Sequence, residues 1–108
     1  MTEMPELTTF QVLVTADAIR LDSPFRGWAQ RRYDAVRGLV ASLVREGIDR
    51  GEIRADADPE REGRELIAFL DGIRLQCLLD DRVPLGEVVA GYFDEVVGRL
   101  GVGWNAGS

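Results

Sequence analysis

Arg32 and Arg74 are the residues with the most chemistry to offer in this sequence. Placed at about 100° per residue, Arg32 falls among Phe25, Trp28, Val36 and Leu39, and Arg74 between Gly63 and Ile67. A guanidinium buried alone in apolar surroundings is costly, so each must snorkel to water, pair with a carboxylate or meet an anionic ligand. Pairing, with Asp17 or Asp71 as the available partners, is the expected outcome over a ligand role. Other chemistry is scarce. The chain has no His, which removes most general-base, triad and zinc chemistry, and no nucleophile constellation is visible. No catalytic residue, metal ligand or cofactor is expected, and the chain does not read as an enzyme. The single Cys77 excludes an internal disulfide and fits a reducing cytoplasm; nothing beside it lowers its pKa, so it reads as a buried apolar residue. The acidic pairs Asp80–Asp81, Asp94–Glu95 and Asp56/Asp58 lack calcium-loop spacing and read as caps or solvated surface.

The elements that must position these residues follow from composition and periodicity. The 108 residues suffice for one domain with one core. All 13 positive charges are Arg, which together with abundant Ala, Gly and Val suggests a GC-rich bacterial genome. The net charge of −6 argues against a nucleic-acid surface. There is no signal peptide and no apolar run of membrane-spanning length, so a cytoplasmic protein without a membrane partner is expected.

The stretch Pro59–Leu79 dominates the pattern. Asp58 can cap its N-terminus, with Pro59 at the first helical position. Its apolar residues make two faces: a broad arc from Gly63 through Leu66, Leu70 and Ile73 to Cys77, and a second of Ala68, Gly72, Leu75 and Leu79. A helix apolar on two sides must be sandwiched, and a second copy of the chain is expected to cover part of it. Before it, Glu6–Leu21 reads as a helix apolar over most of its girth, with a strand over Thr8–Val14 as an alternative. Ser23 and Pro24 then suggest a restart, and a second helix runs to about Arg50 with Gly51 as its stop. Its expected buried arc holds Phe25, Trp28, Ala29, Val36, Leu39, Val40, Leu43 and Val44. After a turn at Asp80–Pro84, Leu85–Leu100 is a last helix, apolar over half its circumference. Residues 1–5 are expected to be a flexible lead-in, 6–100 a single helical domain, and 101–108 a flexible tail from which Trp104 can pack back. Gly63 and Gly72 are the candidates for close helix approach, set against genomic drift in a chain with glycine throughout its helices.

Two local signatures carry a family resemblance. One is LVASLVREGIDRGEI, Leu39–Ile53, followed by Asp56, Asp58 and Pro59; the other is FLDGIRLQCLLDD, Phe69–Asp81. With the order of helices they resemble the C-terminal regulatory half of a TetR-family transcriptional regulator. The resemblance implies an all-α antiparallel bundle of about four main helices that binds a small effector and forms a homodimer through its last two helices. It makes Leu66, Leu70, Ile73, Val89, Tyr92, Phe93 and Val96 interface candidates. Phe10, Trp28, Tyr33 and Phe69, with Arg32 and Arg74, become candidates for a pocket taking an apolar or anionic effector. Nothing before Met1 supplies the family's helix-turn-helix, so the chain reads as a fragment or natural truncation that does not bind DNA alone. The competing expectation is a stand-alone helical dimerisation or interaction protein without an effector.

Overall fold

Asp58 accepts hydrogen bonds from the backbone N–H groups of Glu60 (3.2 Å) and Arg61 (3.3 Å), and Pro59 follows as the first helical residue. This cap satisfies two of the donors that a helix start leaves open, and it fixes the N-terminus of the central helix. The computed structural model describes residues 3–102. Four helices follow in order: α1, Glu3–Asp17; α2, Arg26–Asp49; α3, Pro59–Leu79; α4, Leu85–Leu100. The fold is all-α, as the sequence predicts. The bounds of α3 and α4 coincide with the sequence reading. Gly51 stops α2 with a φ of 76°, the left-handed conformation that glycine adopts without strain. Residues 1, 2 and 103–108, including Trp104, lie outside the described part, so the expected lead-in and tail are only partly covered by it.

The first turn departs from expectation. α1 ends at Asp17, not Leu21, and α2 starts at Arg26 with Phe25 in the cap position and no side-chain cap. Ser23, expected to cap α2, does other work. Its hydroxyl donates to Asp17 Oδ2 (2.8 Å) and accepts from the Phe25 N–H (3.1 Å), and Ser23 is buried. Arg26 reaches back to the Ile19 carbonyl (2.8 Å). The turn is therefore held by side chains on both sides of it.

α3 lies against α2 at Gly63. A Cβ there would meet the Arg37 carbonyl oxygen at 3.0 Å and its Cα at 3.2 Å, tighter than ordinary contact, so any larger residue would have to push the α2 backbone back. Gly72, the other expected contact, has nothing within 4 Å. A second clasp ties the α2–α3 connector to the end of α4. Ile53 bridges Gly101, Arg54 N–H donates to the Leu100 carbonyl (2.8 Å), and Val102 N–H donates to that of Glu52 (2.9 Å). Gly101 and Val102, which start the expected flexible tail, are thus paired with the connector.

The core is thin. Among the described residues, Ala18, Ala29, Ala41, Val44, Ile73 and Leu100 are the buried apolar ones, and no large side chain is fully buried. The expected arc of α2 is corrected here: Ala29 and Val44 are buried, but Phe25, Trp28, Val36, Leu39 and Leu43 are exposed, because α3 packs on the Arg37–Ala41–Val44 side of the helix.

Candidate functional site: a cavity between three helices

α1, α2 and α3 enclose a half-open cavity of about 370 Å³. From α1, Gln11, Val12, Thr15 and Ala16 form one wall, with Ile19 just beyond the helix. α2 contributes Arg32, Tyr33 and Val36. α3 contributes Ile67, Leu70, Asp71, Arg74 and Leu75. Most of the lining is apolar; its charged groups and Tyr33 gather where α2 faces α3, while Gln11 and Thr15 add polar groups on the α1 wall.

That polar end is a small network. The Tyr33 hydroxyl donates to Asp71 Oδ2 across the α2–α3 contact, and Arg74 pairs with Asp71 Oδ1 at 3.6 Å. Burial, reinforced by the hydrogen bond to the Asp71 carboxylate, pushes the Tyr33 phenol up to about 12, while the Arg74 and Arg32 guanidiniums pull the other way. Tyr33 therefore stays a neutral donor at any ordinary pH. Arg32 lies over the Trp28 ring, 5.8 Å from its centroid, in cation–π range. Among the described residues it makes no ion pair.

The sequence-predicted residues separate cleanly. Arg32, Tyr33 and Arg74 line the cavity together. Trp28 stands beside it, as the platform for Arg32. Phe10 is 67% exposed, and helical periodicity sets it on the side of α1 away from the cavity. Phe69 packs elsewhere: its ring stacks on Tyr92 of α4, centroids 3.9 Å apart and planes 6° from parallel. The α1 wall was missed. Gln11 and Thr15, polar residues four apart on one side of α1, were the available signal.

The α3 interface candidates take positions inside the protomer. Ile73 is 6% exposed and part of the core, and Leu70 belongs to the cavity wall. Leu66 is half-buried, as are Val89, Tyr92 and Val96 on α4; of the seven, Phe93 is exposed. Beside the Phe69–Tyr92 stack, Arg99 of α4 grips Glu62 of α3 with two bonds of 2.9 Å. Glu62 is only 8% exposed, and the Arg99 hydrogen bonds hold its carboxyl below the usual range against the opposing effect of burial. Of the acidic pairs, Asp80 clasps Arg82 with bonds of 2.9 and 3.0 Å, and Asp56 clasps Arg54. Cys77 is free and half-buried, with its sulfur 3.9 Å from the Val83 carbonyl oxygen.

The whole helical set, from the first residue of α1 to the last of α4, matches the family model of the BetI-type transcriptional repressor C-terminal domain, over residues 3–100. The chain belongs to the TetR family. No curated protein and no solved structure matches it. TetR-family C-terminal domains are regulatory modules and not an enzyme family, and such domains usually dimerise and bind effectors. Among the described residues of this TetR-family domain, no helix is long and apolar enough to cross a membrane.

Proposed function

We propose that this TetR-family domain senses a small effector in the α1–α2–α3 cavity and pairs with a second copy of itself through α3 and α4. The observation that carries the reading is the cavity: its volume suits a small-molecule site, its walls are mostly apolar, and its charged groups converge where α2 faces α3. Pairing is supported by two strips that the described residues leave largely uncovered, although Gly72 is half-buried, Leu75 edges the cavity and Phe93 meets Tyr92 edge-on. On α3 they are Ala68, Gly72, Leu75 and Leu79; on α4, Gly86, Ala90, Phe93 and Val97. Each strip repeats at i, i+4, i+7 and i+11, two small residues and then two large ones, as a helix-packing face requires. Gly72 and Gly86 have nothing within 4 Å, which leaves room for a neighbouring helix. The cytoplasm is the expected compartment, and operator DNA is not a partner of this chain alone.

Thermal unfolding with a panel of octyl amphiphiles carrying different head groups tests the sensing role. Ala16→Trp fills the cavity from its exposed α1 side and should abolish any stabilisation seen with the natural sequence. If no amphiphile stabilises the fold, or if Ala16→Trp leaves the effect intact, the cavity is not the site.

A further inference from the structure

We infer that the effector is an anionic amphiphile, a monocarboxylate with an apolar body, whose head group is held by Arg32 and Arg74; this rests on the sensing role proposed above. Charge decides the head group. The cavity presents two guanidiniums and one carboxylate, and that carboxylate is already engaged on both oxygens, by the Tyr33 hydroxyl and by Arg74. Arg32 is the surplus cation, with an aromatic ring beneath it and no carboxylate in ion-pair range among the described residues. An entering carboxylate gives it charge-assisted hydrogen bonds and brings the cavity to neutrality. A cationic head would meet both guanidiniums and would have to displace Arg74 from Asp71. A neutral head would leave Arg32 as it stands.

The body follows from the walls. Val12, Ile67 and Leu70 offer only hydrocarbon, and Ile19, 74% exposed at the cavity edge, is covered once an apolar chain lies against it. A cavity of about 370 Å³ holds roughly a dozen non-hydrogen atoms, taking about 30 Å³ for each water-sized group. An eight-carbon carboxylate is close to that size.

Calorimetric titration of the full chain at low salt with octanoate, octanol and octylammonium tests this. Octanoate should bind about tenfold tighter than octanol, as one or two charged hydrogen bonds imply, and octylammonium weakest. Arg32→Gln with Arg74→Gln should bring octanoate to the octanol level or below it, because Asp71 then carries the only charge of the cavity. Arg32→Gln alone keeps the Arg74–Asp71 pair and should show part of that loss in an undisturbed fold. Octanol or octylammonium binding as tightly as octanoate would overturn the anionic assignment alone, as would a preference that survives the double substitution. Failure of all three to bind would remove the sensing role and this assignment with it.

Discussion

Glu62 is a carboxylate that folding takes out of water and hands to a cation 37 positions along the chain. Glu62→Gln removes the charge from a buried acceptor while keeping its shape. Hydrogen bonds to charged groups contribute about 1.5–3 kcal/mol, and because Arg99 is half exposed and screened, the lower part of that range applies. The variant should therefore be less stable by about 1–2 kcal/mol at neutral pH. The pH dependence has a definite sign. The folded-state pKa of Glu62 lies below its ordinary 4.5, so the contribution is present above that value and is lost as the pH falls through the folded-state pKa. Melting curves of both proteins should differ at neutral pH and draw together on acidification; a gap that does not narrow as the pH falls below 4.5 would mean that the charge is not what stabilises α4 against α3. No sequence pattern announces this pair, since nothing local connects the two residues. The Asp71–Arg74 pair was legible for the opposite reason: residues three apart on a helix are neighbours by geometry alone.

At the scale of elements, legibility followed the local signals. α3 was readable to its end residues because Asp58 and Pro59 state its start in two adjacent positions, and Gly51 stops α2 as unambiguously. The end of α1 was not readable. No Gly or Pro interrupts Asp17–Asp22, and the helix stops where Ser23 and Arg26 bind back to Asp17 and Ile19, contacts that exist only after the chain has turned. α1 also hid its inward face, because it is apolar nearly all round, and with it half of the cavity wall. Glycine shows the same divide. Gly63 and Gly38 both lie inside helices and look alike in sequence. Alanine at Gly38 meets nothing within 4 Å and should stabilise α2 by up to about 1 kcal/mol through helix propensity. Alanine at Gly63 gains the same propensity but drives a methyl into the Arg37 backbone, which cannot rotate away as a side chain would; overpacking of this kind costs about 1–3 kcal/mol. Denaturant unfolding should thus give opposite signs for the two variants. A stabilising Gly63→Ala would show that α2 and α3 stand further apart than described.

The whole molecule exposes more surface than is usual for a folded monomer of its size. A folded monomer of 12.0 kDa presents about 6,000 Å², whereas this one presents 7851 Å². Its radius of gyration is 16.5 Å against about 13 Å for a compact domain of this length, and its smallest dimension, 19 Å, is that of two helix layers. The surplus is apolar where it matters: Leu79 is 81% exposed on α3, and Val97 55% on α4. A subunit in a stable dimer commonly buries about 800 Å² or more, so the surplus can accommodate such an interface and still leave the outer faces of α1 and α2 for other contacts. Leu75 joins the two proposed roles, since it lines the cavity and stands in the α3 strip. The choice of probe follows from the packing. Charging Tyr92 would break its stack on Phe69 and confuse folding with pairing; Val97 is exposed and can be charged at little risk to the protomer, and Phe93, exposed but edge-on to Tyr92 at 5.9 Å, serves as the second probe. The natural chain should be a dimer by light scattering at tens of micromolar. Phe93→Glu and Val97→Glu should each shift it to monomer, with the helical circular dichroism retained. A natural chain already monomeric at that concentration would end the pairing proposal, and dimers unaffected by both substitutions would move the interface to the exposed faces of α1 and α2.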